Sequence, residues 1–141
     1  MVDFGNDRLV LWHLGDGTVW KQLGSAGTKP GQFSLPRAVA VTSTGALVVT
    51  DRRRVQVLTV DGAVLCVLDP TAVAGVGRLG EYLSGVTMCA GSDEILVTDC
   101  NHNRVVALTW SPPSQVLLLL FHFINTHLLS RNFAFHFSCV H

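Results

Sequence analysis

Charge of one sign is what this chain most plainly lacks: ten Lys and Arg against ten Asp and Glu leave a formal net charge of zero. Bulk attraction to nucleic acid or an anionic membrane is thereby excluded, and such binding would need a local patch. No long hydrophobic run is present either. The most apolar stretch, residues 116–129, contains His122, Asn125 and His127 and falls short of the roughly 20 apolar residues that span a bilayer. The first residues place Asp3, Asp7 and Arg8 where a secretory leader needs a basic start and an unbroken apolar core. No membrane span and a cytoplasmic setting are therefore expected. The four cysteines, Cys66, Cys89, Cys100 and Cys139, include no C-x-x-C and are too sparse for a disulfide-stapled domain. What remains, 141 residues of which 48% are hydrophobic, suits one globular domain rather than a disordered chain.

Helical periodicity is missing as well, and a longer period takes its place. Asp3, Asp51 and Asp99 stand 48 residues apart, and each is followed by a short polar loop, an Arg (Arg8, Arg54, Arg104) and an apolar run. Asp16-Gly17 and Asp61-Gly62 follow Arg8 and Arg54 at the distance of a hairpin turn. Upstream, Gly31-Gln-Phe-Ser-Leu-Pro-Arg-Ala-Val aligns with Gly80-Glu-Tyr-Leu-Ser-Gly-Val. Within one period the strand candidates are 38–42, 46–50, 54–60 and 63–68, rich in Val and Leu and bounded by turn residues. This predicts a four-stranded antiparallel meander over 37–68, with turns at Gly45 and Gly62 and with Val39, Val41, Val48, Val55 and Val57 largely buried. A small sheet repeated at this period cannot bury both faces until neighbours stack on it, which is the logic of a β-propeller blade.

Residues 30–62, P-G-Q-F-x-L-P-x-A-V-A-V-x-x-x-G-x-L-V-V-T-D followed by R-V-Q-V-L-x-x-D-G, resemble the NHL repeat, and 97–108 with Asn101-His102-Asn103-Arg104 resembles a second copy. The resemblance covers residues 1–110, about two and a half repeats. It departs from the family at Asn103, where Leu is usual, and in the middle loop, where Arg52 and Arg53 replace Gly-Asn-His. It implies an all-β, incomplete propeller of four-stranded antiparallel blades, a ring that when closed has about six blades, and a loop rim that binds protein or single-stranded RNA. Residues 111–141 contain no acidic residue and no glycine but five of the seven phenylalanines. They are expected to form an irregular apolar tail, with 115–121 the outer strand of a third blade. The tail is expected not to be native coding sequence, as in read-through into an intron, and a divergent strand with a disordered or poorly packed end is the alternative. Open strand edges would also offer a site for self-association with another copy.

Several motifs invite a chemical reading. Gly75-Val-Gly77-Arg-Leu-Gly80 matches G-x-G-x-x-G, but no helix or crossover follows, so no cofactor is expected and the glycines serve loops. His13 and His102 have no second ligand at metal spacing, and His122, His127, His136 and His141 are irregularly placed, so no metal is expected. Cys66 and Cys89 fit core strand positions, and no thiol is tied to a His or Asp. Asp3, Asp51 and Asp99, each with its own Arg across a short loop, read as structural braces.

Sorting the remaining charges by loop is more informative. In an up-and-down meander, one rim carries Lys29, Arg37, Arg52, Arg53 and Arg78 against Asp7, Asp69 and Glu81, while the other carries Asp16, Asp61, Asp93 and Glu94 with no base. The expected ligand face is the basic rim, with Arg52, Arg53, Arg54, Lys29 and Arg78. Phe33 and Tyr82 are expected to seal the interface between sheets. Arg52 and Arg53 have no counterpart in the other repeats and are its surplus charges. The expectation is a non-catalytic interaction module, with a protein partner ahead of single-stranded RNA. The rival classes are a fragment of a propeller lyase or hydrolase with a channel metal, and a truncated product without autonomous function.

Overall fold

The structure is a computed structural model of the full chain, and it describes residues 1–69 and 78–109 together with the backbone of 119–124 and 133–135. Among these residues twelve strands form three antiparallel sheets and no α-helix occurs. No helix is long and apolar enough to cross a membrane among the described residues. The first sheet joins β1 (Val2–Asp3), β2 (Arg8–Trp12) and β3 (Val19–Leu23). The second is a meander of β4 (Pro36–Val41), β5 (Leu47–Asp51), β6 (Arg54–Leu58) and β7 (Val64–Leu68). The third runs β8 (Leu83–Met88), β9 (Glu94–Asp99), β10 (Arg104–Thr109), β11 (Leu119–Ile124) and β12 (Phe133–Phe135), again in sequence order.

Local chemistry fixes the meander. Gly45 and Gly62 take φ of 83° and 93° in the turns between β4 and β5 and between β6 and β7, a region that costs a residue without Cβ nothing. The N–H of Thr59 donates to the Ala63 carbonyl at 2.8 Å and that of Thr42 to the Ala46 carbonyl at 2.9 Å, closing the two hairpins. Alternation then gives every sheet two faces. One, the leading face, carries the Asp–Arg pair and looks back along the chain; the other, the trailing face, looks forward.

These faces build two cores. Leu9 and Leu23 of the first sheet, with Phe33 from the connecting loop, pack on Leu47, Val49 and Leu58 of the second sheet's leading face. Val48, Val55, Val57, Cys66 and Leu68 of its trailing face pack on Leu83, Ile95, Val97, Val106 and Leu108 of the third sheet's leading face. Covered on both sides, β5 is buried at all five positions. At about 25 cal/mol per Å² of apolar surface, such two-sided burial is the main force holding the sheets together.

Two expectations need correction. Val48, Val55 and Val57 are fully buried and Val39 is half-buried, but Val41 is 58% exposed. It shares the leading face with Val39, and the first sheet opposite has in β1 only a two-residue strand, too short to cover it. Accordingly, Val48→Ala should cost about 2 kcal/mol, whereas Val41→Ala should change stability by no more than about 0.5 kcal/mol. Urea midpoints at an unchanged m-value measure both. The tail, expected to be irregular, contributes β11 and β12: Leu119–Ile124 pairs with β10, and Phe133–Phe135 pairs with β11. β11 lies along β10 and continues beyond the expected end at 121 to Ile124; residues 115–118 lie outside the described residues.

Candidate functional site

Hairpin register brings each Asp to its Arg: Asp3 stands opposite Arg8, Asp51 opposite Arg54 and Asp99 opposite Arg104. The Arg Nε lies 2.9, 2.8 and 3.0 Å from the respective carboxylate. Preceding loops complete the second and third pairs. Arg54 donates to the carbonyls of Thr28 at 2.5 Å and Gln32 at 2.8 Å, and the Ser34 N–H donates to Asp51 at 2.7 Å. Buried Gln56 joins the same knot, donating to the Gln32 carbonyl and accepting from the Gly31 N–H. In the third sheet Arg104 donates to the Arg78 carbonyl at 2.9 Å and Gly80 N–H donates to Asp99 at 3.2 Å.

The carboxylates respond differently. Burial pushes the Asp51 carboxyl up, against the opposing pull of Arg54, the Ser34 N–H and Gln56. Burial raises Asp99 as well, but bonds from His102, Arg104 and the Gly80 N–H more than offset it and leave that carboxyl below its ordinary value. Asp3 is lowered by its bonds from Arg8 and Asn6. His102, which has no second ligand at metal spacing, lies 2.9 Å from Asp99 and is part of the brace.

The same loops shape a cleft of about 370 Å³ lined by Thr28, Ser34, Asp51, Arg52, Arg53, Arg54, Asp69 and Arg78. Arg52, Arg53, Arg54 and Arg78 converge there, from the turn after β5 and from the segment leading to β8. Lys29 is next to Thr28 and flanks the cleft without lining it. The four arginines are not equivalent. Arg54 is committed to Asp51 and to backbone carbonyls, and Arg53 forms an ion pair with Glu81. Arg53 is thus not a surplus charge, because it bridges the second sheet to the strand entry of the third. Among the described residues Arg52, Arg78 and Lys29 make no ion pair. Arg52 is exposed at φ 31°, in the left-handed region that Asp7 and Asn103 occupy in the other two hairpins. Its carbonyl accepts the Leu83 N–H at 3.1 Å.

Arg37 lies apart from the cleft, with its guanidinium 5.4 Å from the Phe4 ring centre and 5.5 Å from that of Tyr82. Both rings are 45% exposed. Phe33 is buried between the first two sheets, but Tyr82 does not seal an interface: Leu79 is the residue of this segment that enters the core between the second and third sheets, and the exposed phenol lies against Arg37. Arg and aromatic residues at such distances attract through the ring quadrupole.

The opposite rim also differs from expectation. Lys21 on β3 reaches Asp61 at 3.1 Å, so this rim is not without a base, and Ser43 donates to Asp93 at 2.9 Å. Lys21 sits mid-strand, where sorting by loops does not see it. Cys66 is buried in the core, Cys89 is half-buried at the turn after β8, and Cys100 is exposed. His13 lies just beyond β2, with its ring 6.1 Å from that of Trp20. Among the described residues no three His, Cys, Asp or Glu converge as metal ligands. Gly75, Gly77, Cys139 and the tail histidines other than His122 lie outside the described residues. No family model matches the chain, and a search of curated proteins finds no match.

Proposed function

We propose that the three sheets are successive blades of an NHL-type β-propeller and that the chain is a non-catalytic interaction module, whose ligand face is the rim around Arg52 and Arg78. The repeat of 48 residues, the meander order and the packing of each leading face on the preceding trailing face support the architecture. One observation carries the function: two exposed arginines that make no ion pair among the described residues stand at a cleft already lined by two committed ones. Such a site attracts anions by Coulomb interaction and offers planar guanidinium donors to carboxylate or phosphate. The ligand is an acidic segment of a protein partner. A second reading, single-stranded RNA, is favoured by the exposed rings of Phe4 and Tyr82 beside Arg37, since bases stack on aromatic and guanidinium planes.

The double variant Arg52→Glu, Arg78→Glu tests the rim with two probes, an oligo-glutamate peptide and a mixed-sequence single-stranded RNA. Loss of two charge-assisted contacts should weaken binding by about tenfold to a hundredfold. With peptide the loss falls mainly on the association rate; with RNA the salt dependence flattens by about 1.4 in slope. Unchanged affinity for both probes overturns the assignment.

A further inference from the structure

Among the described residues, the leading faces of the second and third sheets are each seated on a trailing face, and that of the first sheet is not. On the second and third sheets the leading positions Leu58, Val106 and Leu108 are at most 1% exposed. On the first sheet the positions that repeat them are Val10, which is still buried at 5%, and Trp12, which is not. A bulge between Leu11 and Trp12 sets Val19 opposite Trp12, while alternation from Gln22, opposite Val10, puts Trp20 on the same face. Trp12, Val19 and Trp20 are 44%, 45% and 50% exposed, so two indoles and a valine form an uncovered apolar patch where the repeat elsewhere has core.

The brace beside this patch is uncovered too. Arg8 and Asp3 are 36% and 24% exposed, against at most 20% and 1% for the other two pairs. Arg54 and Arg104 donate to carbonyls of the preceding segment, whereas Arg8 turns its free nitrogen to Gln22 of its own sheet.

At the other end of the stack, the third sheet has a trailing face that repeats the second sheet's. Leu96, Thr98, Val105 and Ala107 stand where Val48, Thr50, Val55 and Val57 stand, and exposed Thr87 shares the face through its pairing with Leu96. In the second sheet that face receives the next sheet's leading face, and the Thr50 hydroxyl donates across to the Ser84 carbonyl at 3.1 Å.

We infer that the partner of the Trp12–Trp20 face is a second copy of this chain, docked head to tail through the trailing face of its third sheet. The contact continues the two interfaces already present within the chain. It is heterologous: one copy uses its first sheet and the other its third, so copies form a ring where the rotation closes and a filament where it does not. This inference concerns self-assembly and stands apart from the ligand rim.

Sedimentation of the full chain tests it, with Trp20→Asp on the leading face and Thr87→Arg on the trailing face, both at exposed positions. Wild type should self-associate with rising concentration. Each variant alone should associate at least about tenfold more weakly, since a charge buried without a partner is costly. An equimolar mixture should recover one intact interface and give a heterodimer. Val19→Asp and Val105→Lys repeat the experiment should either first variant lose its circular-dichroism signature. Monomeric wild type at about 100 μM overturns the inference. So does an effect of the leading-face change alone, which marks face-to-face pairing of two first sheets, and so does a mixture that stays monomeric.

Discussion

Replacing Phe33 with Ala is expected to destabilise the chain by about 3 to 5 kcal/mol, a large share of the 5 to 15 kcal/mol that hold a typical domain together. Phe33 is fully buried between the first two sheets, and its loop is folded to deliver it there. Its N–H donates to the Ser25 carbonyl at 2.8 Å and its carbonyl accepts the Gly27 N–H at 2.9 Å. Gly24 makes room: at φ 90°, a Cβ there would fall 2.3 Å from the ring. Truncation therefore leaves a cavity that rigid backbone on both sides cannot fill. An equilibrium denaturation curve reads the loss, and a change below about 1 kcal/mol contradicts a central role for this ring.

Asp99→Asn should cost about 2 to 3 kcal/mol at neutral pH, less than the full penalty for a buried pair because Arg104 keeps some access to solvent. Bonds from Gly80, His102 and Arg104 all converge on Oδ2, while Oδ1 is buried with no partner among the described residues. An amide that keeps its oxygen at the Oδ2 position must bury an unsatisfied NH₂ at the other, and it supplies no charge for Arg104. The pH dependence follows from the direction of the shift. Asp99 is held below its ordinary value in the folded chain, so its stabilisation is present above the unfolded value near 3.8 and is lost as pH falls through the folded one. Unfolding curves of wild type and variant should thus be furthest apart at neutral pH and converge in acid. A gap that widens in acid would contradict the sign.

How much of this was legible before the structure depends on how local the cause is. The strands of the second sheet follow from Val and Leu runs between Asp-Gly and Thr-Gly turns, and all four form within a few residues of where the pattern places them. The antiparallel register sets Asp51 against Arg54 across a two-residue turn, so that pair too has a local origin. What the sequence hid is set by neighbours distant along the chain. Val41 has the same residue type and alternation as Val39, and only the shortness of β1 opposite exposes it. Arg53 finds Glu81 28 residues away. Gln56 reads as a polar interruption of an apolar strand, yet it is fully buried because the Gln32 loop satisfies it. His102 had a usable signal, standing three residues after an Asp already marked as a brace. The cleft was more legible: Arg52, Arg53 and Arg54 are consecutive, and sorting charges by loop already set Arg78 on the same rim, whereas Lys29, placed there too, only flanks the cleft.

The two-sided packing of the second sheet has a consequence for the order in which the molecule comes apart. In a stack where each unit touches only its neighbours, stability is close to a sum of unit terms and interface terms. Among the described residues the second sheet collects two interface terms, one from each core, while the first and third collect one each. The first sheet is poorer still, with three strands of which one spans two residues. Local opening therefore starts at the first sheet and reaches the second last, and the molecule carries a gradient of rigidity along its own sequence. The cleft arginines Arg52, Arg53 and Arg54 stand on the most rigid part of that gradient, on a turn whose flanking strands are the last to separate.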